Sequence, residues 1–389
     1  MRAYDENKLT NIVLLEETDT FLNAGFITQE QADCIKNNLP VFKSQNNLLL
    51  RLAFFILGSL LYASICGTIS IIGMQIGESY FLHFCFYLFA IIGWAAAEFL
   101  ARENYKNYGV DDAFILGSIL NLAIAIGINS ESFELLIAFF VSISALVMYK
   151  RFIHNISLLL FCLATTATLF YALLEIDTIG KTILPFATLI FAVVCYFFTK
   201  RKLTQLKELY YHKGFVIANS FYLILAYLSC NYFVVRELSS ELLGINLKPN
   251  QDIPFALFFY IFTITVPIVY IMTALKTKDR CLLWIGALCI GFSIFTIRYY
   301  HSILPVEVAM TLGGILLFTI SYFSIQKLKD KTSGITFELD RLTQNKDFKS
   351  TEALVAVTAF GIKPETKIEE SPMKFGGGDY SGGGASGSF

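Results

Sequence analysis

Charge is what this chain has least of. Asp, Glu, Lys and Arg make up 16% of its 389 residues, against 55% apolar and 15% aromatic. That balance excludes an ordinary soluble domain. Motifs for chemistry are missing as well. No HExxH or GxSxG occurs, and the four histidines, His83, His154, His212 and His301, share no metal-ligand spacing. The eight cysteines form no CxxC pair. All but Cys34 lie in or beside apolar runs, where cysteine behaves as a small hydrophobe. No catalytic residue, cofactor or metal is therefore expected, and an intramembrane enzyme lacks a nucleophile–base pair. A net charge of −1, with the charges sorted by loop, gives no reason to expect a nucleic-acid partner. A cleavable leader is not expected either. Residues 1–47 are polar, and their apolar patch Leu9–Leu15 is short and followed by Glu16-Glu17.

What the chain has is length of apolar run. From 48 to 325 the apolar residues fall into stretches of about 20, the length needed to cross roughly 30 Å of hydrocarbon. Ten spans are expected, at 52–72, 81–100, 113–128, 133–149, 153–173, 182–199, 214–234, 255–275, 282–299 and 304–324. The fold class is thus an all-α, polytopic transmembrane bundle with the lipid bilayer as its main partner. Residues 1–47 form a small helical hairpin ahead of it. Gly25 stops the first helix, and Thr28-Gln29-Glu30-Gln31 has the form of a capping box opening the second. Residues 326–374 make a tail with one short helix, and 375–389 a glycine-rich end that is disordered alone.

The basic connector from Lys200 to Lys213 orients the bundle, because Lys and Arg accumulate in cytoplasmic loops. With that connector inside, the four inner connectors hold twelve Lys and Arg, and the five outer ones hold four. A miscounted span would invert half the loops and erase the asymmetry. The expectation is an inner-membrane protein with both termini in the cytoplasm.

Polar residues within spans are hypotheses for function by default. Glu98 stands four residues before Arg102, and an ion pair along one helix face is expected there. Asn121 is the only strongly polar residue near the centre of an expected span, and should seek an interhelical hydrogen bond. Glu307 follows Pro305 in the first turn of the last span, within reach of Arg298 at the end of the preceding one. Gly73 and Gly77 form one GxxxG match, and Pro267 marks a kink. Leu238, Leu242 and Leu243 suggest a short helix on the outer surface. In the tail, Phe375, Tyr380 and Phe389 are set apart by glycine and small residues. They suit an extended segment that orders on a protein partner.

The segment Leu22-Asn23-Ala24-Gly25-Phe26-Ile27-Thr28-Gln29-Glu30-Gln31, followed by many spans, resembles a broad group of uncharacterised bacterial multi-span membrane proteins. The stretch from Tyr299-Tyr300 through Leu312-Gly313-Gly314-Ile315-Leu316-Leu317 is similar to the end of their membrane region. The glycine-rich tail resembles the C-termini of TPM-domain membrane proteins, whose soluble domain has no counterpart here. The resemblance implies the class and no reaction. Two functions fit. The first is a non-enzymatic scaffold that meets a protein partner through the N-terminal hairpin and the tail. The second is a secondary transporter of an unknown small molecule, built as a five-plus-five inverted repeat. Against the second, no sequence similarity links the two halves.

Overall fold

The structure is a computed structural model. It describes residues 2–23, 25–73, 78–130, 133–243 and 252–300, together with single helical positions at 308, 311, 315, 318, 322, 323, 326 and 327. The expected pair Arg298–Glu307, most of the span at 304–324, and the tail residues Phe375, Tyr380 and Phe389 lie outside the described residues or depend on residues that do.

The first two helices are the expected hairpin. Helix α1 spans Glu6–Asn23 and α2 spans Gln29–Asn38, with Gly25 between them at φ 75°. The capping box is present in both directions: the Gln31 amide donates to Thr28 Oγ1 at 3.3 Å, and the Thr28 amide donates to Gln31 Oε1 at 2.9 Å. Lys36 and Asp19 pair across the hairpin at 2.7 Å, over the buried Ala32.

Among the described residues, eight helices are long and apolar enough to cross a membrane. They lie in α3 (Leu48–Gly73), α4 (Glu78–Arg102), α5 (Val110–Asn129), α6 (Glu134–Phe152), α7 (Asn155–Leu174), α8 (Asp177–Thr204), α11 (Ala256–Thr277) and α12 (Arg280–Tyr300). A bent pair, α9 (His212–Ser229) and α10 (Tyr232–Leu243), entered by the 3-10 turn Leu209–Tyr211, makes a ninth if its two pieces are counted as one span. Large apolar side chains face outward along these helices, as Leu57, Leu60 and Ile71 do on α3. So much outward apolar surface suits hydrocarbon rather than water. The chain is a multi-pass, all-helical membrane protein. Among the described residues, the one β-type pairing is the isolated bridge between Lys43 and Tyr105.

Two helices act as hubs. Helix α5 packs against α3, α4 and α6, while α9 packs against α7, α8 and α12. The remaining strong pairings are hairpins of consecutive helices, α6 with α7 and α11 with α12. The first hub is held by a polar knot. Tyr62 of α3 donates to the Phe89 carbonyl of α4 at 2.6 Å, and Asn121 of α5 donates to the Tyr62 hydroxyl at 3.0 Å. The expected interhelical bond of Asn121 is therefore found. Gly117 makes room for it: a Cβ there would stand 2.3 Å from the Tyr62 ring. Half of the GxxxG match is also a contact, since Gly73 is buried against Phe81 of α4.

The expected seventh span, 214–234, is corrected. Helix α9 ends at Ser229, and α10 departs at 70°. The reason is Asn231, whose side-chain oxygen accepts from the Phe233 and Val234 amides at 3.0 and 3.3 Å. That is an N-cap, which starts a new helix rather than continuing the old one. The helix expected around Leu238 thus begins at Tyr232, inside what the hydropathy alone assigns to the span.

One end of the bundle collects the connectors at 103–109, 153–154 and 205–211. The N-terminal segment ties them together. The Ala3 amide donates to the Arg151 carbonyl at 3.0 Å, Lys43 and Lys106 exchange backbone bonds with Asn104 and Lys43 at 2.8 and 3.1 Å, and Arg2 pairs with Glu208. Lys213 at the start of α9 bonds Glu16 of α1 at 2.7 Å. The small hairpin therefore rests on the membrane domain.

Candidate functional site

The largest concentration of buried charge lies beneath this N-terminal strap, where α5 begins. The local sequence Asn107-Tyr108-Gly109-Val110-Asp111-Asp112 builds it. Gly109 has φ 111°, and a Cβ there would lie 2.3 Å from the Arg51 carbonyl oxygen, so the tight approach of loop to α3 requires glycine. Asp111 turns back on the loop. Its carboxylate accepts from the amides of Asn107, Tyr108 and Gly109 at 2.7, 2.9 and 2.9 Å. These bonds satisfy amides that the start of a helix leaves free, and place negative charge at the positive end of the dipole.

Asp112 faces the other way, into the bundle, and is 3% exposed. Arg51 of α3 donates to its Oδ2 through Nε at 2.7 Å and approaches it through Nη2 at 2.6 Å. His154 lies 3.1 Å from Oδ1 through Nε2, close but without the alignment of a hydrogen bond. The histidine is itself an N-cap. Its Nδ1 accepts from the Ser157 amide at 3.3 Å and lies 2.8 Å from Ser157 Oγ. Nδ1 is therefore the acceptor, and the ring proton sits on Nε2, toward Asp112.

Lys106 completes the cluster. It is 7% exposed, and its ammonium lies 3.5 Å from the Ile153 carbonyl oxygen and 5.2 Å from the centre of the Tyr4 ring. Burial lowers its pKa to about 8, with Asp111 and Asp112 opposing the shift. Tyr4 closes the site from above. Its hydroxyl donates to the Tyr105 carbonyl at 3.2 Å, its ring meets Phe42 edge-on at 5.0 Å, and burial raises its phenol pKa. Two cations, Arg51 and Lys106, and two carboxylates, Asp111 and Asp112, thus gather around the His154 ring.

The order Asp112, His154, Ser157 places a carboxylate, an imidazole and a hydroxyl in line, as nucleophilic catalysis requires. Ser157 is 0% exposed and lies in the first turn of α7, where its amide is the capped group. That hydroxyl has no open face in this structure. The arrangement joins α3, α5 and α7 as a polar clamp.

A second polar network sits at the α9–α10 bend. Fully buried Asn231 donates to the Tyr227 hydroxyl at 2.9 Å and accepts from Thr296 at 3.4 Å. Tyr227 is 2.7 Å from Ser293 Oγ. Pro267, buried in α11, lacks the amide that would bond the Thr263 carbonyl four residues earlier. Ser293 of α12 supplies the missing donor at 2.7 Å. Thr263 Oγ1 in turn accepts the Tyr232 amide at 3.0 Å, at the first turn of α10. The Tyr232, Phe233 and Val234 amides at the bend and the Thr263 carbonyl at the proline thus find side-chain partners, as hydrocarbon surroundings demand.

The sequence-level candidates are scattered. Asn121 lies in the α3–α4–α5 knot. Glu98 does not pair with Arg102. It bonds Arg151 at the end of α6, with Arg151 Nε donating at 3.0 Å and a second guanidinium contact beside it. Both Glu98 oxygens are met by the Arg151 guanidinium, a forked contact that ties α4 to α6. Arg298 ends α12. Sequence reasoning passed over Arg51, Asp111 and Asp112, which hydropathy leaves in or beside connectors, and His154 and Asn231, which it absorbs into the ends of expected spans. A Gly-x-Asp-Asp sequence before an apolar run, and His-x-x-Ser at the start of another, were the available signals. No family model, curated protein or solved structure matches the chain.

Proposed function

We infer that this is a ten-span inner-membrane protein with both termini in the cytoplasm, acting as a non-catalytic scaffold. In this reading the bundle anchors a charged cytoplasmic platform made by the N-terminal hairpin and the inner connectors, and the tail meets a protein partner. The protein belongs with the uncharacterised bacterial multi-span group that its hairpin resembles. The observation that carries the reading is how the interior polar groups are used. Those at the α5 start and the α9–α10 bend bond one another or the backbone, and do not line a polar cavity among the described residues. The orientation is supported by the twelve basic residues of the inner connectors.

The 70° bend favours the second reading, a secondary transporter, since such carriers bind substrate at broken helices. Helix pairing speaks against it. In a five-plus-five repeat the second and third spans, α4 and α5, correspond to the seventh and eighth. The first pair packs along its length, whereas α9 and α11 barely meet.

Native thiols discriminate the two. Cys34 is exposed on the hairpin, while Cys230 and Cys289 are buried beside the bend network. In sealed vesicles a membrane-impermeant thiol reagent should modify Cys34 and leave Cys230 and Cys289 untouched from both sides. Modification of either buried thiol would reveal a water path and favour transport. Removal of residues 375–389 should leave expression intact and abolish a specific co-purifying protein; retention of every partner would remove the scaffold role of the tail.

A further inference from the structure

A cleft of about 700 Å³ opens between the N-terminal segment and the ends of α6 and α9. Its lining changes character with depth. Arg2, Lys150 and Arg151 stand at the end of the bundle; Val147 and Phe215 lie one helical turn further in, along the spans. Tyr149 and Tyr211 form the zone between. We propose that this cleft binds the headgroup of an anionic phospholipid. The phosphate meets Lys150 and the two guanidiniums, and the acyl chains leave along Val147 and Phe215.

Charge is the first argument. Three cations and one carboxylate, Glu6, line the cleft. Arg2 is engaged with Glu6 and Glu208 and donates to the Tyr211 hydroxyl at 3.3 Å, and Arg151 is engaged with Glu98. A guanidinium has several N–H donors in a fork, so these pairs orient it without exhausting it. Lys150 is exposed at the mouth.

Tyr149 is the second and independent argument. It is 5% exposed, and its hydroxyl is buried without a hydrogen-bond partner. The hydroxyl is seated against Gly214 of α9, where a Cβ would come within 2.2 Å of it. Glycine thus leaves room for a donor that nothing in the protein uses. Buried polar groups are as a rule paired; a headgroup oxygen would complete this one when the Tyr149 side chain, which lines the cleft, turns its hydroxyl from α9 toward it.

The occupant is a lipid rather than a free anion because the inner half of the cleft is apolar and runs along the ends of two spans. Basic pockets between membrane helices recognise headgroups in this manner.

The test uses the full-length protein in a neutral detergent. It is titrated with short-chain phosphatidylglycerol, with short-chain phosphatidylcholine and with inorganic phosphate, and binding is read as the shift of the unfolding midpoint. Phosphatidylglycerol alone should raise the midpoint. Lys150→Gln should weaken its binding roughly fivefold, the scale of one basic residue near an anionic surface. Tyr149→Phe should weaken binding while leaving the lipid-free midpoint unchanged or higher, since it deletes an unpaired buried hydroxyl. Lys276→Gln, a basic residue outside the cleft, should bind as the wild type does. A response to inorganic phosphate equal to that of the lipid overturns the proposal in favour of a free-anion site. Equal loss in Lys276→Gln overturns it in favour of diffuse surface charge. Unchanged affinity in both cleft variants overturns it outright.

Discussion

Asp112 shows what a single buried carboxylate demands of its surroundings. Its partner Arg51 reaches it from a half-open position, so the two ends of the pair are unequally solvated. Removing Arg51 alone leaves a buried, unpaired charge, and Arg51→Met should destabilise the bundle by about 3–5 kcal/mol. The double variant Arg51→Met with Asp112→Leu should recover much of that loss in a detergent unfolding assay. Additive losses would show that the pair is not the unit of stability. Lys106 carries a pH dependence of known sign. Its folded pKa of about 8 lies below the ordinary 10.5, so the unfolded chain binds more protons between those values. Stability should therefore rise with pH across that window, and the penalty should be fully present below about pH 8. In Lys106→Met the rise should vanish. A rise of the same size in both proteins would assign it to other groups.

At the scale of elements, the junction of α9, α10, α11 and α12 is organised by two backbone defects that correct one another. Pro267 frees the Thr263 carbonyl, and Ser293 fills it. Ser293→Ala should cost about 1–3 kcal/mol, the penalty of an unmet buried acceptor. In a Pro267→Ala background the same change should cost less, because α11 can then bond its own carbonyl. A full cost in both backgrounds would refute the pairing. The proline itself was visible in the sequence. Its partner was not, because Ser293 lies in a different helix and its role depends on how α11 and α12 pack. Asn231 was legible only as a polar residue near the end of an apolar run, and hydropathy cannot tell a capped new helix from the tail of an old one.

For the whole molecule, the N-terminal strap decides which connectors share a face. Arg2, Ala3, Lys8, Glu16 and Lys43 touch connectors that are far apart in the chain, so those connectors are on one side whatever that side is. A reporter fused after Lys207 should then give the same phenotype as one at the N-terminus, the cytoplasmic one under the orientation proposed above. Opposite phenotypes would break both the strap and the span count. Modification of Cys34 from the cytoplasmic face alone is the companion expectation.

The apolar run length determined the class of this protein without any structure, because an unbroken apolar run of about 20 residues satisfies its backbone in hydrocarbon as a helix. The hairpin caps were legible for a similar reason: Gly25 and Thr28-Gln29-Glu30-Gln31 act within a single turn, where neighbours in sequence are neighbours in space. The loop charges carried the expected orientation, since each loop bears its own bias. Pairing between helices was a different matter. The choice of Arg151 over Arg102 by Glu98, the burial of Asp112 under Arg51 and His154, and the bend at Asn231 join residues tens of positions apart. Those contacts depend on which helix faces lie together. The spans are apolar on nearly every side, so periodicity marks no face, and packing alone decides it.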